Sequence, residues 1–134
     1  MTPLAERRLL QGAVALACLI PLGIGAISVA LGPAIIARGL PDSASLDSHF
    51  RYLSGIFLAL GIAFASCVPA IEARGGRFRL LGAMVIAGGL ARLLSLGVAG
   101  SPSTGHQIGL VMELGVVPLL MLWQRRVARR FGRA

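Results

Sequence analysis

Lysine is missing from this chain, and acids are nearly so: 13 basic residues, all arginine, stand against five Asp and Glu in 134 residues. Only 13% of residues are charged while 56% are hydrophobic, and the mean hydropathy is +0.83. So little charge excludes an ordinary water-soluble domain and makes a bilayer the expected solvent. In a soluble protein the net charge of +8 would suggest a nucleic-acid partner. Here the arginines stand at the ends of apolar runs, so they are expected to set topology and to touch anionic lipid headgroups, with no nucleic acid involved.

Cysteine is scarce as well. Cys18 and Cys67 lie inside apolar runs with no CxxC spacing and no neighbouring histidine, which excludes a disulfide framework and a metal signature and leaves buried free thiols. No phosphate loop, no c-type haem motif and no Ser or Cys nucleophile with a base beside it stands out. Neither a cofactor nor an enzymatic reaction is therefore expected.

What is present is a series of four apolar runs, at about residues 9–31, 51–71, 80–99 and 107–123, followed by a basic tail over 124–134. At ~1.5 Å per helical residue each can cross a ~30 Å hydrocarbon layer, the fourth being the shortest. The first run exceeds the apolar core of a signal peptide, although Ser28-Val29-Ala30 has cleavage-like small residues, and so reads as a retained span. Gly32-Pro33 should end or bend the first helix, with a short interfacial helix over 34–38 and a polar turn at Gly39, Pro41, Asp42 and Ser43. Ser45 and Asp47 are the expected caps of the second helix. The fold class is thus an all-α, polytopic four-helix transmembrane bundle, one domain over residues 1–134.

Ten arginines (7, 8, 74, 77, 79, 125, 126, 129, 130 and 133) would fall on one side of the membrane, against Arg38 and Arg51 on the other. This bias predicts cytoplasmic N and C termini and argues against dual topology. Trp123 and Tyr52 are placed as interfacial anchors. Small residues recur at helical spacing, Gly55, Ala59 and Ala63 on the second span and Ala83, Ala87, Ala91 and Ser95 on the third, and are expected to let helices pack closely. In the tail, Trp123, Val127 and Phe131 at i,i+4 steps predict a helix continuing from the fourth span along the inner headgroup layer.

Two ionisable residues fall clearly within spans: Arg92 in the third and Glu113 in the fourth. A charge near mid-span costs on the order of 2.5 to 3.5 kcal/mol, so the two should pair or face a cavity. Counting from the outer helix ends puts both ~10 Å deep, where they can meet. One reading is a structural bridge. The other is an outward-facing polar pocket for a small polar or anionic ligand; a permanently charged arginine partner makes proton carriage by Glu113 the harder role. Pro118, five residues after Glu113, should bend the fourth helix. At the outer entrance of the second span, Asp47 can reach Arg51 at i,i+4, and His49 and Tyr52 share a face at i,i+3, so these four could rim the same pocket. No metal-ligand spacing accompanies them.

Arg51-Tyr52 with Gly55, then Gly88-Gly89-Leu90-Ala91-Arg92-Leu93-Leu94-Ser95-Leu96 with Gly100 and Pro102, then Glu113-Leu114, resembles an uncharacterised bacterial family, domain of unknown function 4345, over nearly the whole chain. The resemblance implies a small four-helix protein of the bacterial inner membrane, similar to the DoxX-like group, and brings no activity with it. Function is then expected to be binding, or help in transporting, a small polar or anionic ligand. The alternative is an accessory subunit docking on another membrane protein or on a second copy of the chain.

Overall fold

The computed structural model describes residues 1–35 and 43–132. These are all-helical, with four helical segments long and apolar enough to cross a membrane: Pro3–Ile35, Ala44–Ala70, Gly75–Ala99 and Thr104–Phe131. Within them run α1 (Pro3–Leu31), α2 (Ala44–Ala65), α3 (Gly75–Ala99), α4 (Thr104–Val111) and α5 (Val117–Phe131), with a π-helical turn, Met112–Val116, joining the last two. The 25 residues of α3 extend ~37 Å, enough to cross a hydrocarbon layer. Of the turn expected at Gly39, Pro41, Asp42 and Ser43, the first three lie outside the described residues, as do Arg38 and Arg133, and Ser43 is the N-cap of α2. Of the short helix expected over 34–38, Ala34 and Ile35 are described, and they close a 3-10 turn, Gly32–Ile35.

Helix ends follow from local chemistry, not always as the sequence suggests. The Thr2 hydroxyl accepts the Ala5 N–H at 3.2 Å at the start of α1. Ser43, rather than Ser45 or Asp47, caps α2, its hydroxyl accepting the Leu46 N–H at 3.3 Å. The helix therefore starts several residues before the apolar run, and Asp47 is left within its first turn. At the other end the apolar run continues to Ile71, but α2 stops at Ala65. Pro69 offers no N–H to the Ala65 carbonyl and disfavours helix at the residue before it. The Ser66 hydroxyl turns back to the Ala63 carbonyl at 2.6 Å, and a 3-10 turn, Val68–Ala70, follows.

The chain forms two compact units, Gly12–Val68 and a second made of Met1–Gln11 with Pro69–Ala134. In the first, α1 and α2 approach closely through glycine: a Cβ at Gly25 would stand 3.0 Å from the Leu58 backbone, and one at Gly61 3.0 Å from the Pro21 ring. Gly32, with φ +68°, ends α1 in the left-handed region that glycine enters without steric cost. In the second unit α3 packs on α5, the π turn and α4. Phe78, Leu81, Leu120 and Val127 are buried there, and Gly82 lies so close to Met121 that a Cβ would collide with its Sδ.

Two packing expectations need correction. The stripe Ala83, Ala87, Ala91 and Ser95 of α3 is exposed, and a Cβ at Gly55 would meet nothing within 4 Å. Close approach on α3 falls instead to Gly82 and Gly89, seven residues apart, where a neighbouring side chain fills the space a Cβ would need. Nor does Val127 face lipid. The helix does continue through the tail, but Val127 belongs to the protein core.

Gly89→Ala would bring a Cβ to 2.8 Å from Leu114 Cδ2 and 2.9 Å from Glu113 Cβ, and should lower stability by about 1–3 kcal/mol. Gly88→Ala, in open space, should be neutral or slightly stabilising, alanine being the better helix former. Thermal unfolding in detergent, followed by circular dichroism, checks this; equal midpoints would mean that α3 does not approach the π turn at Gly89.

Candidate functional site

Arg92 and Glu113 form a forked ion pair between α3 and the π turn. Nε of Arg92 donates to Oε2 of Glu113 at 3.0 Å and Nη2 to Oε1 at 2.9 Å, the bidentate geometry that matches a planar guanidinium to a carboxylate. The acid side chain is 13% exposed and the arginine 32%. Within a membrane-length segment each charge serves as the other's solvent, which makes the interaction costly to break from one side only.

Local backbone structure brings the pair together. The Val117 N–H bonds to the Met112 carbonyl, one residue further than in an α-helix, so Glu113 sits in a widened turn. Pro118 contributes to this, because it has no N–H for the Glu113 or Leu114 carbonyls. Gly89, one turn before Arg92 on α3, lets the Glu113 Cβ and the Leu114 side chain pack against the α3 backbone. On α4, Gly109 lies close to the guanidinium, its Cβ position being 3.7 Å from Arg92 Cζ.

The other four predicted site residues belong to the other compact unit, and two of them have clear structural work. Arg51 Nε donates to Asp47 Oδ2 at 2.8 Å, while its Nη1 donates to the carbonyls of Val29 and Ala30, at 3.0 Å for the latter. These carbonyls close α1 and have no helical donor of their own, so Arg51 caps the end of α1 from the side of α2. A Cβ on Gly32 would stand 2.6 Å from Asp47 Oδ1 and 2.8 Å from Arg51 Nη2, so the turn and the ion pair fit only with glycine there. His49 and Tyr52 are exposed and line a shallow surface groove with Ala44, Ser45 and Ser48. Among the described residues no group of three or more His, Cys, Asp and Glu is placed to hold a metal ion.

Sequence reasoning missed a second polar cluster. Glu6, only 2% exposed, accepts ion pairs from Arg126 at 3.0 Å and Arg130 at 2.6 Å. Beside it Arg7 pairs with Glu72 at 3.0 Å, donates to the Pro69 carbonyl at 3.1 Å and lies 5.8 Å from the centre of the Phe131 ring. Gln124, fully buried on α5, donates to the Ile71 carbonyl at 2.8 Å. The available signal was the tail's helical spacing, which sets Arg126 and Arg130 on one face at i,i+4; its partner Glu6 is 120 or more residues away in sequence. A serine also stands beside a base after all: Ser103 Oγ is 2.8 Å from His106 Nδ1. This is a local i,i+3 contact at the start of α4, and among the described residues no acid orients the ring.

Removing one charge of the central pair strands the other. Arg92→Leu and Glu113→Leu should each cost about 3–5 kcal/mol where the site is dry, while the double variant recovers most of it. Urea or thermal unfolding of all four proteins in the same detergent checks the cycle, and equal stabilities would show that the two side chains do not interact.

No curated protein and no solved structure matches the chain. Residues 9–124, which include α2, α3, α4, the π turn and both members of the ion pair, match the model of a family described as a domain of unknown function, DUF4345. The chain therefore belongs to the DUF4345 family.

Proposed function

We propose that this is a multi-pass protein of the bacterial inner membrane, with both termini in the cytoplasm, that binds or helps to transport a small polar or anionic ligand through Arg92 and Glu113. The observation that carries the reading is the forked ion pair on a π-helical turn within a membrane-length segment. Intramembrane charges and π turns both concentrate at functional sites, since each costs stability that packing alone would avoid. Asp47 and Arg51 are occupied in closing α1, so the ligand-contacting role rests on the central pair, with His49 and Tyr52 as exposed neighbours of their own groove.

Topology has two supports. Glu6 near the start of the chain pairs with Arg126 and Arg130 near its end, as an even number of spans requires. The arginine bias then assigns that end to the cytoplasm, where exposed Arg8, Arg77, Arg79, Arg125 and Arg129 meet anionic lipid headgroups. The second reading, an accessory subunit docking on another membrane protein or on a second copy, is favoured by the exposed small-residue stripe Ala83, Ala87, Ala91 and Ser95.

A reporter enzyme active only in the periplasm, fused after Ala134, should give no signal, and the same enzyme inserted between Ser101 and Pro102 should be active; the opposite pattern overturns the orientation. Purification in mild detergent separates the two functional readings. A small molecule retained by the parent and lost from the folded Arg92→Leu, Glu113→Leu double variant supports the ligand site. A stoichiometric protein partner lost on Ala87→Leu, with no small molecule retained, supports the subunit instead.

A further inference from the structure

The ion pair leaves most of the Arg92 guanidinium unused. A guanidinium carries about five N–H donors. Glu113 takes one from Nε and one from Nη2, and among the described residues nothing takes the rest. The free edge belongs to a side chain that is 32% exposed, within a helix long and apolar enough to span the bilayer. Donors without acceptors are costly in hydrocarbon, so an acceptor from outside the protein is required there.

Space for that acceptor is present. Gly88, one turn before Arg92 on α3, is exposed, with nothing within 4 Å of where its Cβ would be. Gly109 lies beside the Nε and Nη2 edge that Glu113 already holds, its Cβ position 3.8 Å from each, and adds no side chain of its own. The exposed residues near it on the same helices are mostly apolar, Leu90, Leu93 and Leu94 on α3 and Ile108 and Val111 on α4, with Ser95 and Gln107 the polar exceptions.

Charge then narrows the ligand. Arg92 and Glu113 already cancel, so the pair has no net charge to offer an anion. An anion would add an uncompensated charge to a low-dielectric layer, whereas a neutral acceptor adds none. Resting on the ligand-binding reading above, we propose that the site takes a neutral carbonyl group carried on an apolar body, the carbonyl oxygen accepting from the free edge of Arg92. The ester carbonyl of a membrane glycerolipid and the ketone of a separate lipophilic molecule share this chemistry.

The test uses the purified full chain in lipid nanodiscs built from ether-linked phosphatidylcholine, which contains no carbonyl. The probe is a saturated long-chain methyl ketone labelled at its carbonyl carbon, with the fatty acid of equal chain length as its anionic counterpart, read by infrared spectroscopy. The ketone band should shift to lower frequency in a saturable way. That shift should vanish in Gly88→Leu, whose side chain covers the free edge at i,i+4 while leaving the ion pair intact, and in the Arg92→Leu, Glu113→Leu double variant. Circular dichroism confirms that both are folded. In discs of ester lipid labelled at its carbonyls, a shifted lipid band that displaces the ketone assigns the acceptor to the bilayer; displacement of that lipid by added ketone assigns it to a separate molecule. Preferential binding of the fatty acid over the ketone at the same residues would overturn the neutral-carbonyl inference and leave the ligand site standing. No shift for either probe, in either lipid, would overturn both.

Discussion

A charge removed from water has to be solvated by the protein itself, and the fork between Arg92 and Glu113 is how this chain meets that constraint between two helical segments long and apolar enough to cross a membrane. Much of the local backbone follows from keeping the two side chains in register. Gly89 admits the Glu113 Cβ at a distance no larger residue would allow, and Pro118 withholds the donor that an unbroken α-helix would need. The π turn between α4 and α5 places the acid opposite an arginine that sits one helical turn beyond Gly89.

The same constraint is met differently at the helix ends, where the groups at risk are backbone carbonyls rather than charges. Val29 and Ala30 accept from Arg51, Pro69 accepts from Arg7 and Gln11, and Ile71 accepts from Gln124. Each carbonyl lies at or just beyond the end of a helix, where the helical ladder has no further N–H to give. Arginine suits this work because one planar head can hold a carboxylate and a carbonyl together. Arg51 does so with Asp47 and the end of α1, and Arg7 with Glu72 and the turn after α2. The arginine-rich composition therefore has an architectural use in closing helix ends.

Hydropathy made the four long apolar helical segments legible from sequence, because apolar length is a property of consecutive residues. Relative depth made the meeting of Arg92 and Glu113 legible, since each could be counted from the end of its own helix. Properties that depend on partners were not legible. Ser43 rather than Asp47 caps α2 because the helix extends beyond the apolar run, and hydropathy does not mark that extension. The alanine stripe on α3 looked like a packing face, yet Gly82 and Gly89 make the close contacts; in a chain this rich in small residues, spacing alone cannot tell which face meets a neighbour. Glu6 gave no signal, because an acid in the first turn of a helix is ordinary and its arginine partners lie at the far end of the chain.

The most direct measurement is the separation between the Arg92 guanidinium nitrogens and the Glu113 carboxyl carbon, by solid-state NMR on selectively labelled protein in lipid bilayers. The account predicts strong dipolar coupling from both Nε and Nη2 to that carbon, as the 3.0 and 2.9 Å hydrogen bonds require. A guanidinium coupled to lipid phosphorus, with no coupling to Glu113, would contradict it.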